Sequence, residues 1–215
     1  MIANPPRPPV PPLRLVAGAA ACGLAMALTW WLVRHGETAG FDRTLLLAPR
    51  RPETLAPYGG GAVTTAMTAL TDLGGPLPRN LVVLAGLALL VLRRHGRGAV
   101  CLGLTVAGGW ALSDAIKFVT MRARPELVPH LVAATGTAFP SAHAFNAVVV
   151  YGALALALPA SDRPRRGWLG LAALLALAIG ASRVWLGVHW PSDVVAGWLG
   201  GAGWLLAARC CQLRR

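Results

Sequence analysis

The chain has 215 residues, 55% of them hydrophobic and 13% charged, with 20 Lys and Arg against 8 Asp and Glu. Its mean hydropathy is +0.57, whereas ordinary soluble domains are about 45–50% apolar and about 25% charged, which argues against a typical soluble enzyme. The net charge of +12 would suggest nucleic acid in a soluble chain; beside this much apolar sequence it reads as orienting charge on an integral membrane protein, with no nucleic-acid partner.

Residues 1–12 hold six prolines and Arg7, so an extended, disordered tail is expected there. Leu13 to Val33 is apolar apart from Arg14 and long enough to cross a bilayer core, giving a first helix over about 13–34. A cleaved leader is the rival reading of this segment, but the apolar run continues past Cys22 to Trp30, Trp31 and Leu32. The next stretch mixes charges with short apolar pieces, and its apolar run Gly61–Leu73 is short for a span. We expect interfacial or re-entrant helices over about 40–75.

Five further apolar segments follow, predicting helices over about 78–93, 98–120, 141–160, 167–186 and 191–209. The fold class is therefore all-α: a polytopic membrane protein of six transmembrane helices in one domain, about 13–210. Eleven cations (Arg7, Arg14, Arg93, Arg94, Arg97, Arg163, Arg165, Arg166, Arg209, Arg214 and Arg215) fall in the tails and in two short loops on one side. The positive-inside rule makes that side cytoplasmic, with both termini inside. The eight tryptophans read mostly as an interface belt. The four cysteines show no CxxC spacing, so neither a disulfide framework nor a zinc site is supported. Cys210 and Cys211 read as small buried hydrophobes, with a lipidation or redox pair as the alternative.

Three stretches concentrate polar residues, all at the outward face. The first is Lys117-Phe-Val-Thr-Met-Arg-Ala-Arg124-Pro125. Lys117 and Arg124 would share one face if the helix continued, Pro125 suggests that it ends there, and Asp114 is placed to pair with Lys117. Alone, this stretch reads equally as a basic helix end meeting lipid headgroups. The second is Phe139-Pro140-Ser141-Ala142-His143. A proline in the first helical turn would leave the N–H groups of Ser141, Ala142 and His143 facing outward, a ready anion site. The third is Ser182-Arg183, then His189-Trp-Pro-Ser-Asp193. Its four-residue spacing lets a carboxylate fix the imidazole tautomer, and ionisable residues near membrane depth default to function.

Three cations, two histidines, one carboxylate and a helix N-terminus suit a tetrahedral dianion. No carboxylate cluster invites Mg²⁺ or Zn²⁺, so neither a metal nor another cofactor is expected. Ser141 could in principle serve a Ser-His-Asp hydrolase, but no G-x-S-x-G elbow is present.

The three stretches resemble the signature K-x6-RP, PSGH and SR-x5-H-x3-D of the type 2 phosphatidic acid phosphatase (PAP2) family of membrane lipid phosphatases. Lys117, Arg124 and Pro125 fit its first part; Pro140, Ser141 and His143 its second; Ser182, Arg183, His189 and Asp193 its third. The resemblance implies a phosphohistidine mechanism. His189 would attack phosphorus with Asp193 behind it, and His143 would act as acid and then base. Lys117, Arg124, Ser141, Arg183 and the amides near Ala142 would bind the phosphate. Ala142 replaces the family's glycine. A position needing positive φ would strain alanine by about 1 kcal/mol or more, whereas an ordinary helix start would not, and the latter is expected. The implied substrates are lipid phosphates or diphosphates, with undecaprenyl (polyprenyl) diphosphate favoured by an outward site in the cytoplasmic membrane. Phosphatidylglycerol phosphate or phosphatidic acid is the alternative. A non-catalytic phospholipid transporter or scramblase is the rival of another class, though it would not need the His189–Asp193 pairing. Of the 20 cations, eleven are thus assigned to orientation, three (Lys117, Arg124, Arg183) to phosphate, and six to decorating the outer face.

Overall fold

The computed structural model describes residues 12–157 and 165–213. The expected Pro-rich tail up to residue 11, most of the basic loop before Arg165, and the side chains of Cys210 and Cys211 lie outside the described residues. Those residues form eight helices and no strand: α1 (Pro12–Arg34), α2 (Ala39–Leu47), α3 (Gly60–Leu73), α4 (Pro76–Leu92), α5 (Gly96–Thr120), α6 (Ala142–Ala157), α7 (Arg165–Trp185) and α8 (Pro191–Leu213).

By length and apolarity, α1, α5 and α7 can each cross a membrane. The number rises to four if α3 and α4, bent by 48° at their junction, form one broken span. The sequence alone led to six. Among the described residues that count is not confirmed: α6 is apolar but has 16 residues, and α8 begins Pro191-Ser192-Asp193 and carries four glycines between 197 and 203. The expected interfacial region becomes two helices, α2 and α3, the second running into α4 through Gly74 and Gly75.

Helix α6 is the centre of the bundle. Phe145, Ala147, Val149 and Val150 are fully buried, and its buried residues include runs on every side, as expected for a helix that is apolar all round. It packs on α5, α7 and α8. The approach to α8 depends on small residues: a Cβ built on Gly197 would stand 2.7 Å from the Ser141 carbonyl oxygen, and one on Gly201 2.6 Å from that of Phe145. Close backbone approach through glycine is how membrane helices gain dispersion energy without a hydrophobic driving force. On the outside, Leu24, Leu81, Leu92, Leu104 and Leu174 are exposed, an apolar surface fit for lipid rather than water.

Two tryptophans hydrogen-bond between helices, and a third packs on a loop phenylalanine. The indole N–H of Trp204 donates to the Thr105 carbonyl at 2.7 Å, and that of Trp198 to the Ala176 carbonyl at 2.9 Å. Trp30 stacks on Phe139 at 4.8 Å.

Candidate active site

The ends of α5 and α7 and the starts of α6 and α8 converge at one end of the bundle. After α7 the chain reverses through Gly187, whose φ is +80°. A Cβ there would also lie 2.8 Å from the Pro129 carbonyl oxygen, so both backbone conformation and space require glycine. The turn is held by Arg50, which donates to the Trp185 carbonyl at 2.5 Å and lies over the Trp185 ring.

This turn delivers His189 into the interior, where it is 1% exposed. Its Nδ1 lies 3.4 Å from Asp193 Oδ2, and that oxygen also accepts the Trp190 N–H at 2.9 Å, capping α8. On the other edge, Nε2 is 3.1 Å from Nη1 of Arg124. A carboxylate at Nδ1 favours the proton there and leaves the Nε2 lone pair directed at the cation. Burial, reinforced by the charges of Arg124, Arg183 and Lys117, holds the His189 imidazole well below its ordinary pKa, so it is neutral at physiological pH.

Behind Asp193 stands a network that sequence reasoning missed. Arg122 donates Nη1 to Asp193 Oδ1 at 2.6 Å and to Ser192 Oγ at 2.8 Å, and Nη2 to Asp42 Oδ2 at 2.8 Å. Asp42, from α2, in turn accepts the Ser192 N–H at 2.8 Å and the Ser192 hydroxyl at 2.7 Å. Both carboxylates are buried and are therefore compensated by a shared guanidinium and by hydrogen bonds.

Lys117 and Arg124 meet the site by different backbone routes. Helix α5 stops at Thr120, and Met121 adopts φ +47°, so the helix ends four residues before Arg124 and the two residues do not share a helical face. Lys117 Nζ donates to the Thr137 carbonyl at 2.6 Å, and no ion pair joins it to the exposed Asp114 among the described residues; the expected pairing is replaced by a neutral acceptor. Arg124 donates to the carbonyls of Gly136, Val188 and Thr135. Arg183, buried near the end of α7, donates to Thr71 Oγ1 at 2.8 Å, while its Nε has no partner.

Pro140 precedes α6, and Ala142 is its first residue. The Ser141 N–H is not free as expected, because it donates to the Asp193 backbone carbonyl at 2.9 Å. The Ser141 hydroxyl lies 3.5 Å from the Ala144 N–H, a long N-cap contact. Ala142 is absent from the positive-φ positions, so alanine in place of glycine carries no backbone strain. His143 makes no hydrogen bond among the described residues. It rests on Gly74, where a Cβ would come within 3.1 Å of its ring, and it is close enough to His189 and Arg183 for their charges to interact.

The structure thus brings His189, Asp193 and Arg124 into direct contact, with Lys117, Arg183 and His143 around them. Asp42, Arg122 and Arg50 were invisible in the motifs. The one sequence signal for Arg122 was its place between Lys117 and Arg124.

A family model described as the PAP2 superfamily matches residues 98–215. The chain belongs to the PAP2 superfamily. Among relatives of this PAP2 chain, phosphatidylglycerophosphatase B of Bacillus subtilis is 33% identical over 138 residues, 61% of this chain and 66% of that protein. The undecaprenyl-diphosphatase of Sulfolobus acidocaldarius is 33% identical over 124 residues, 53% of this chain and 55% of that protein. The matches thus span less than two thirds of either relative. Both relatives are named as hydrolases of phosphate esters or anhydrides. The fold is shared with the crystal structure of a transmembrane PAP2-type phosphatidylglycerolphosphate phosphatase from Bacillus subtilis, at TM-score 0.78 and 23% identity over 91% of this chain and 96% of that one. It is also shared with Aquifex aeolicus LpxE, at TM-score 0.58 and 22% identity over 80% of this chain and 92% of that one.

Proposed function

We propose that this PAP2 protein is a membrane lipid phosphatase working through a phosphohistidine on His189. The observation that carries the reading is the arrangement about that ring: Asp193 at Nδ1, and the Arg124 guanidinium 3.1 Å from Nε2. A phosphate drawn to Arg124, Lys117 and Arg183 would sit in front of the Nε2 lone pair. Attack forms the P–N bond and breaks the bond from phosphorus to the lipid oxygen, which takes the electron pair and a proton from His143. Water activated by His143 then breaks the P–N bond and releases inorganic phosphate. The cations and the free amides at the start of α6 stabilise the charge on the equatorial oxygens in both steps.

The site residues lie at the ends of helices opposite the Arg93–Arg97 turn between α4 and α5. With that basic turn cytoplasmic, the site faces outward from the cytoplasmic membrane. In this reading undecaprenyl diphosphate is the leading substrate and phosphatidylglycerol phosphate, the substrate named for one relative, is the second.

The test is phosphate release by the purified protein in detergent, with EDTA present, from undecaprenyl diphosphate, phosphatidylglycerol phosphate and phosphatidic acid. Turnover of at least one lipid is expected, with a loss of about 10³-fold or more in His189→Ala. Undiminished turnover in His189→Ala would overturn the phosphohistidine, and a folded protein that releases no phosphate from any of the three would favour a transporter.

A further inference from the structure

Arg79 is a cation that the phosphate chemistry above leaves unused. It lies at the start of α4, just beyond the α3–α4 bend. Its guanidinium stands over the Trp110 ring of α5, 5.0 Å from the centroid, and its buried Nε has no hydrogen-bond partner. Among the described residues no carboxylate comes within ion-pair distance of it. Asp114, exposed on α5, interacts with it only at longer range. Beside it, Asn80 Oδ1 and Trp110 Nε1 are likewise buried without partners. A partly buried guanidinium with no ion-pair partner, beside two further unpartnered polar atoms, is costly and needs a reason.

Its position supplies one. The bend preceding Arg79 is clamped to α6, because the Tyr151 hydroxyl donates to the Leu73 carbonyl at 2.7 Å and Gly74 abuts the His143 ring. The cations acting most on His189 are Arg124, Arg183 and Lys117. His143 also feels Arg79. The bend that abuts the His143 ring thus leads directly into the first turn of α4, which carries Arg79.

We propose that Arg79, stacked on Trp110 and flanked by Asn80, forms a second anionic subsite that holds a phosphate in the leaving group of the substrate. The inference rests on the phosphohistidine reading and narrows its substrate class to lipids with two phosphates. When a polyprenyl diphosphate is cleaved, the electron pair of the broken P–O bond goes to the bridging oxygen and the departing lipid is itself a phosphate anion. When phosphatidylglycerol phosphate is cleaved, the departing alcohol carries a phosphodiester a few bonds away. Both substrates named for the relatives share this second phosphate. Phosphatidic acid lacks it, and its leaving group is neutral diacylglycerol.

The experiment compares wild type, Arg79→Gln and Arg79→Lys on the three lipids, with thermal unfolding as a check on folding. The expected result is a loss of about 30- to 100-fold in kcat/KM for the two-phosphate lipids in Arg79→Gln. Phosphatidic acid turnover should stay within about threefold, and Arg79→Lys should recover part of the loss. Undecaprenyl monophosphate should inhibit phosphatidic acid hydrolysis by wild type and do so at least tenfold more weakly in Arg79→Gln. Equal losses on all three lipids, or no loss on any, would overturn the subsite while leaving His189 untouched. Retained activity in His189→Ala would instead bring down the underlying mechanism.

Discussion

On the Nδ1 side of His189 each charge meets a counter-charge: Asp193 and Asp42 share Arg122, and Ser192 joins them. On the Nε2 side the cations meet only neutral oxygens. Lys117 is held by a carbonyl, Arg124 by three, and Arg183 by a threonine hydroxyl. The first flank is a closed hydrogen-bond network, two carboxylates on one guanidinium, and can be rigid in the empty protein. The second retains uncompensated positive charge in a poorly screened interior, which a phosphate dianion would neutralise. A site built this way has its framework fixed before substrate arrives and keeps its net field for the ligand.

Removing a cation from the open flank should have the largest effect on catalysis. Arg124→Gln is expected to lower kcat by about 10²- to 10³-fold, as for loss of one transition-state donor, with little change in thermal stability. A fall in stability with kcat intact would erase the contrast between the flanks. On the closed flank the order reverses. Arg122→Gln strands two buried carboxylates and should cost about 3 kcal/mol of stability, read as a lower unfolding temperature in detergent. Adding Asp42→Asn should return part of that loss, because one stranded charge disappears. If the double variant is no more stable than the single one, the shared guanidinium is not what compensates Asp42.

A smaller effect concerns pH. The folded state keeps His189 neutral, whereas the unfolded chain protonates it near the ordinary value of about 6.5. Below that pH the unfolded state binds the extra proton, so this residue's contribution to stability is intact above about 6.5 and declines as the pH falls. Relative to His189→Gln, wild type should lose stability more steeply as the pH falls from 6 to 5. Parallel unfolding curves would contradict a neutral buried His189. The smallest effect should come from Ala142→Gly, within about twofold in activity, since Ala142 starts α6 without positive φ.

The candidate site was legible where short spacing brings residues together. The His189–Asp193 interval and the Lys117–Arg124–Pro125 run were readable because both ends of each motif sit on one stretch of chain. What stayed hidden depends on pairs distant in sequence. Asp42 meets Ser192 across 150 positions, and nothing local marks Asp42 as buried rather than interfacial. Three of the six cations read as outer decoration, Arg50, Arg79 and Arg122, turn inward for the same reason. The helical membrane class followed from composition, while the count of six spans is not confirmed among the described residues. Bundle-facing helices such as α8 use glycine and serine where lipid-facing helices use leucine, and this dilutes the hydropathy that length-based reading relies on.

The seam between α6 and α8 bears on how such a protein can be altered. Gly197 leaves no room for a methyl group, and the Ser141 amide is tied to the Asp193 carbonyl across the same seam. The two histidines therefore descend from a joint that tolerates almost no substitution. New lipid preferences are expected at exposed positions such as Leu81 and Leu84 on α4 and Val100 and Leu104 on α5, which have room for change. Random mutagenesis selected for altered substrate range should accumulate hits there and leave the glycines of α8 untouched.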